Sequence, residues 1–331
     1  MIQPNFNQII LQSPCRFALP IAVYPGLELT GATVRDVVTN PRAQLDAQTA
    51  LRDRYQSPFA LSAMDLSAEA EAFGCAIMMS DTEIPTVTGR LVTDLVQAKA
   101  LAVPQPGDRR TGVYLEAVRL LATLPGQPFV FAGCIGPFSL AARLVGVSEA
   151  MELTMTEPEV MHTLLEKSAA FLAGYVKAFR LAGARGVIMA EPAAGLLSPR
   201  ALAGFSSAYI KHIAAEVNDP TFSILLHNCA AKLLHLPAIL ETGLKSFHFG
   251  APMDIVGALA RVSPEVVLCG NLDPSAVFLQ LPPAEVNVRA SQLLAAAKAH
   301  RNFVISSGCD VPPGAPLANL DALYQAVKAA V

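Results

Sequence analysis

Eight short apolar runs recur along this 331-residue chain, and helical periodicity fills the stretches between them. No other feature narrows its folding options as far. The runs are Phe17–Val23, Phe59–Met64, Phe129–Gly133, Gly186–Ala190, Phe222–His227, Ser246–Phe249, Val266–Gly270 and Phe303–Ser307. Apolar runs this short, bounded by turn residues, read as strands buried on both faces, as parallel strands are. Between them, Pro158–Ala182 carries Val160, Leu164, Leu165, Ala169 and Leu172 at helical spacing. Further helices are expected over Pro199–Val217, Ala230–Glu241, Met253–Arg261, Pro283–His300 and Leu317–Ala330. Strand–helix alternation on this scale predicts a parallel (β/α)8 TIM barrel in a single domain, 1–331, with an N-terminal extension. An open doubly wound sheet is disfavoured, because no glycine-rich phosphate or dinucleotide fingerprint follows any run. Residues 66–128 break the alternation as an irregular insertion after the second strand. A hairpin over Ala76–Val92, a loose Pro104–Asp108 linker and a helix over Val113–Leu124 are expected there.

Composition excludes several classes of function. The chain is 53% hydrophobic, ample for a large core, yet charges and prolines interrupt every run before the roughly eighteen apolar residues of a membrane span. Met1–Phe6 lacks a basic region followed by an apolar core, so a cytoplasmic protein is expected, without membrane attachment. A net charge of −3 with no basic run argues against a nucleic-acid partner. Six scattered cysteines in a chain of this length point to metal or core roles rather than a disulfide framework. Cys15 and Cys75 read as plain thiols, and Cys134 and Cys269 as small buried hydrophobes.

In a barrel, chemistry gathers at the strand C-termini, where this chain places Asp65, Glu191, His227, Cys229, His248, Asn271, Asp273, Cys309 and Asp310. His227 and Cys229 stand two residues apart and so point to the same side of an extended strand. Cys309 ends the last run and joins them if the barrel closes. One imidazole and two thiolates suit Zn²⁺ better than a hard cation. The competing account is a core histidine beside two buried cysteines. Glu191 has two accounts, a fourth zinc ligand or a carboxylate that holds a loop. Asp65 either meets a substrate group or caps a loop, and His248 either lines the pocket or fills a strand. Asn271 and Asp273 lie in an Asn-x-Asp-Pro sequence that makes good turns. His162, His212, His235 and His300 fall on helices and are expected at the surface.

Several segments resemble the uroporphyrinogen decarboxylase superfamily, from about Asp65 onward. They are Gly136-Pro137-Phe138-Ser139-Leu140-Ala141, Glu191-Pro192-Ala193-Ala194-Gly195-Leu196-Leu197-Ser198-Pro199, Gly270-Asn271-Leu272-Asp273-Pro274, and the C-terminal stretch from Gly308 to Leu320. The resemblance implies the same barrel. It departs from the decarboxylases where their first strand carries an arginine-rich motif. Here that stretch reads Ile21-Ala22-Val23-Tyr24-Pro25-Gly26, without the guanidinium forks that a polycarboxylate substrate needs. Gly308-Cys309-Asp310 also replaces the decarboxylases' Gly-His-Gly. The His-x-Cys…Cys set and Asp65–Cys75 instead resemble the zinc-dependent corrinoid methyltransferases of the superfamily.

That branch implies a catalytic role for Asp65, Glu191 and Asn271, and corrinoid contacts for His248 and Asp273. It implies Zn²⁺ on His227, Cys229, Cys309 and Glu191, with a methylcorrinoid as co-substrate on a carrier protein. The methyl acceptor is then a small thiol or a reduced folate. Two other functions remain open: a decarboxylase acting on a porphyrinogen or other polycarboxylate, and a non-catalytic corrinoid- or metal-binding barrel.

Overall fold

Seven of the eight apolar runs form one parallel sheet in the computed structural model, which describes residues 3–330. Its strands are β1 (Phe59–Leu61), β4 (Phe129–Ile135), β5 (Gly186–Ala190), β6 (Ser223–Asn228), β7 (Ser246–Phe249), β8 (Val267–Leu272) and β9 (Phe303–Ser307), hydrogen-bonded in that order. The helices run between them as the periodicity requires, the longest over Pro158–Leu181. β2 (Ala76–Met78) and β3 (Thr86–Thr88) pair antiparallel as a separate hairpin inside the 66–128 segment, which also carries helices over Ala68–Phe73, Leu95–Ala100 and Thr111–Leu121.

The eighth run, Phe17–Val23, is not a regular strand. Ala18 makes one parallel bridge to Ile305 of β9, and Leu19 N donates to the Ile305 carbonyl at 2.9 Å. Pro20 then ends the ladder, having no N–H to give. Side chains take over from there. Ile21 N donates to Ser307 Oγ at 3.0 Å. On the other flank, Gln48 Nε2 donates to the Ala22 carbonyl at 2.7 Å while its Oε1 accepts from Leu61 N of β1 at 2.9 Å. Both edge strands of the curled sheet thus meet the same segment, one by backbone and one through a buried glutamine.

The N-terminal helix, Phe6–Gln12, begins with a capping box from Asn5 and Gln8 and covers the starts of the strands. Phe6 is fully buried against the rings of Phe59, Phe129 and Phe131, and its N–H donates to Ser223 Oγ at 3.0 Å. Asn7 Nδ2 donates to the Lys245 and Glu265 carbonyls, just before β7 and β8. With that end plugged, the C-terminal rim is the open one.

Two helical expectations need correction. Ala230–Glu241 becomes helical only from Leu233, and His235 is buried rather than exposed: its Nδ1 accepts from Lys232 N, and its Nε2 meets the Leu197 carbonyl. A side chain that satisfies two backbone groups at a helix start can be buried without loss. The helix after Pro199 runs through a π-helical turn at Ala203–Ser207, which presents the buried Ser206 to Glu191. No helix among the described residues is long and apolar enough to cross a membrane.

Candidate metal centre

Parallel register sets the site. His227 in β6 lies beside Ala190 of β5 and His248 of β7, so two imidazoles stand side by side in one layer. The next inward position, Cys229, comes just past the end of β6, and Cys309 two residues past β9. Close packing holds the Cys229 loop in place: a Cβ on Gly250 would lie 2.1 Å from the Cys229 carbonyl oxygen, so only glycine fits. The ligand atoms of His227, Cys229 and Cys309 all lie within 4.8 Å of one another.

The protonation pattern of the cluster follows from its neighbours. His227 is 2% exposed, and its Nε2 is a buried nitrogen with no hydrogen-bond partner. Its Nδ1 lies 2.8 Å from His248 Nδ1, and His248 Nε2 lies 2.7 Å from Ser306 Oγ. Ser306 Oγ donates in turn to the Leu19 carbonyl at 2.5 Å. That carbonyl can only accept, which orders the chain: Ser306 donates to Leu19, His248 Nε2–H to Ser306, and His227 Nδ1–H to His248 Nδ1. His227 Nε2 is left with its lone pair free. Burial, with His227 alongside, pushes the His248 pKa well below the usual imidazole value, so it remains the neutral acceptor this order needs. The nearness of Cys309 lowers Cys229 to about 7, and the nearness of Cys229, with burial, raises Cys309 to about 12. A free imidazole lone pair beside a thiol poised to ionise is a soft donor set that fits Zn²⁺.

The other residues singled out from the sequence lie elsewhere. Glu191 is 1% exposed and does not reach the cluster. Its carboxylate accepts from Phe138 N and Ser139 N at 2.8 and 2.9 Å, and from the Ser139 and Ser206 hydroxyls. It is spent on the N-terminus of the Pro137–Val145 helix, although burial raises its pKa to about 7. Asp65 is also satisfied, by Ser67, the Tyr114 hydroxyl and an ion pair with Arg110. Asn271 Nδ2 ties down the Gly250 and Met253 carbonyls. Asp273 caps Ser275 N and Ala276 N. His248 is completely buried behind His227, so it holds that ring from behind and does not line the pocket.

A cleft of about 230 Å³ opens over the cluster. Met64, Leu66, Ile84 and Pro85 form apolar walls, and Arg143 and Asp310 line it with the three donors. Asp310 follows Cys309 after the last run in the sequence, whereas nothing in the sequence marks Arg143 or Ser306. Each is ordinary in its helix or strand and acquires meaning only from what surrounds it.

A curled parallel sheet with soft donors converging on its C-terminal rim defines a barrel-type α/β protein whose site is assembled from strand ends. The chain belongs to the uroporphyrinogen decarboxylase (URO-D) family, whose model matches residues 21–330. It is 28% identical over 268 residues to the methylcobamide:CoM methyltransferase MtbA of Methanosarcina acetivorans, covering 80% of this chain and 77% of that one. It is 27% identical over 318 residues to the uroporphyrinogen decarboxylase of Ectopseudomonas mendocina, covering 92% and 88%. A solved methyltransferase from Methanosarcina mazei superposes with a TM-score of 0.87 over 99% of both chains, at 21% identity.

Proposed function

We propose that this protein is a zinc-dependent methyltransferase that moves a methyl group between a methylated corrinoid and a small acceptor, a thiol or a reduced folate. The observation that carries the reading is the convergence of His227 Nε2 and two cysteine sulfurs, with the imidazole tautomer already ordered for ligation. The similarity to the Methanosarcina acetivorans methylcobamide:CoM methyltransferase points the same way. We read the whole chain as one (β/α)8 domain with 66–128 as its insertion, acting in the cytoplasm with a corrinoid carrier protein as partner.

Bound zinc would ionise an acceptor thiol at neutral pH and so supply the nucleophile. His227, Cys229 and Cys309 hold the ion. The His248–Ser306 chain orients His227 from behind, and the apolar walls of the cleft limit water around the reacting sulfur. With a thiol acceptor, a sulfur–carbon bond would form as the donor's cobalt–carbon bond breaks, its electron pair leaving with the corrinoid. Glu191, Asp65 and Asn271 support the rim that holds these groups.

Decarboxylation of a polycarboxylate has relatives in its favour as well. It fits the cleft less well, since among the described residues Arg143 alone brings a guanidinium or ammonium group to its lining. Purified protein supplied with methylcobalamin and either mercaptoethanesulfonate or tetrahydrofolate should release cob(I)alamin, followed by its absorbance. Chelator treatment should abolish this and added zinc restore it. Full activity in metal-free protein, or conversion of uroporphyrinogen to coproporphyrinogen, would overturn the proposal.

A further inference from the structure

An acidic and a basic side chain line the cleft, and neither has a side-chain partner among the described residues. Both carboxylate oxygens of Asp310 are buried and meet no hydrogen-bond donor. The Arg143 guanidinium, half-buried on the Pro137–Val145 helix, makes no ion pair or side-chain hydrogen bond among the described residues. They do not serve each other either, since no salt bridge joins them. Other buried charged side chains of this fold are partnered more fully. Arg110 is held by Asp65 and Glu71, and Glu191 by four donors. Asp310 is the one carboxylate among the described residues with both oxygens buried and unmatched. Buried polar atoms with no partner cost stability, and an acid and a base in one cleft suit a ligand that brings a complementary group to each.

We infer that the methyl acceptor is an α-amino-acid thiol, its sulfur at the His227–Cys229–Cys309 cluster, its carboxylate on Arg143 and its ammonium group on Asp310. The inference rests on the methyltransferase reading above and narrows its acceptor. A thiol bearing only an acidic group would satisfy Arg143 but add negative charge beside Asp310. A simple aminothiol would satisfy Asp310 and leave Arg143 bare. The zwitterion answers both, and a cleft of about 230 Å³ has room for one.

Calorimetric titration of the zinc-loaded, full-length protein tests this without any corrinoid. The probes are L-homocysteine, its des-amino analogue mercaptobutyrate, its decarboxylated analogue aminopropanethiol, and tetrahydrofolate. Each truncated analogue should bind at least about tenfold more weakly than homocysteine, the loss expected for one charge-assisted hydrogen bond. The isosteric Asp310→Asn variant, with folding checked by circular dichroism, should erase the preference for homocysteine over mercaptobutyrate. Arg143→Gln should erase its preference over aminopropanethiol. Equal binding of mercaptobutyrate and homocysteine, unchanged preferences in the variants, or tighter binding of tetrahydrofolate would overturn the amino-acid assignment and leave the methyltransferase reading standing. Failure of the zinc-loaded protein to bind any thiol or folate would overturn both.

Discussion

Replacing Ser306 by alanine should weaken metal binding at a site that Ser306 does not touch. Its hydroxyl accepts from His248 Nε2 at 2.7 Å and donates to the Leu19 carbonyl at 2.5 Å, so it sets the direction of the whole chain behind His227. Without it, His248 Nε2–H becomes a buried donor with no acceptor, a loss of roughly 1–3 kcal/mol. The buried pair can instead move both protons, which transfers the donor to His227 Nε2, beside the cysteine sulfurs. His248 then carries its proton on Nδ1 and donates to His227 Nδ1, and His227 must carry its proton on Nε2. That nitrogen is the one proposed to bind the metal. Metal ligation in the variant must therefore either reverse this shift or bear the unsatisfied donor. The expected loss of zinc affinity is ~10- to 100-fold, or about 1.4–2.7 kcal/mol, the range typical of groups behind a ligating histidine. Competition against a chromophoric chelator measures the affinity. Nitrogen-15 NMR of the metal-free imidazoles reads the tautomer directly, and the Nε2–H form of His227 should rise in the variant. Ser307→Ala is the matched control. Ser307 also anchors the first segment, by accepting from Ile21 N, but it stands outside the imidazole chain. It should lower stability by about 1 kcal/mol and leave zinc affinity alone. Zinc affinity in Ser306→Ala within threefold of the parent, with an unchanged His227 tautomer, would refute the relay.

Cys309→Ser, Cys229→Ser and His227→Ala should each fold and lose most bound zinc and methyl transfer together, because the three act as one unit. Cys269→Ser, at a fully buried position in β8, should keep its zinc; metal analysis of the four purified variants decides. Glu69 provides a pH test. Burial raises its pKa from 4.5 to about 7, and its Oε2 has no partner. The folded state therefore holds this proton more tightly than the unfolded chain does. Its contribution to stability is intact below about pH 4.5, declines as pH rises, and is fully lost above about pH 7. Relative to the parent, Glu69→Gln should gain up to about 3 kcal/mol between pH 5 and pH 8 in urea unfolding, and a pH-independent difference would refute the assignment. Phe6→Ala should destabilise the fold by ~3–5 kcal/mol through the cavity left beneath the sheet, while zinc affinity in the folded variant is unchanged; a loss under 1 kcal/mol would show that the N-terminal helix does not plug the barrel.

The strands, the helices and their order were legible in the sequence because they depend on local pattern. A strand buried on both faces must be apolar throughout, and runs such as Ser223–Asn228 and Phe303–Ser307 appear almost residue for residue as read. The grouping of His227, Cys229 and Cys309 was also within reach. Strand periodicity aligned the first two, and only the return of the last strand to the sheet was needed to add the third.

Partnership was not legible. Glu191 and Asp65 are acidic residues at strand ends like any that could bind a metal or substrate. Only the folded chain shows their oxygens already taken by the Pro137–Val145 helix terminus and by Arg110. Arg143 and Asp310, by contrast, are set apart by having nothing opposite them. His248 moved from the pocket wall to a place behind His227 because parallel register put the two rings in one layer. The Phe17–Val23 run kept its place in the barrel but lost its ladder, since Pro20 removes a donor and Gln48, distant in sequence, closes the seam in its stead. Pattern along a chain determines which segments are strands and which way their side chains alternate. Which polar groups are left free to do chemistry is decided by contacts between segments far apart in sequence, and these exist only once the sheet has curled.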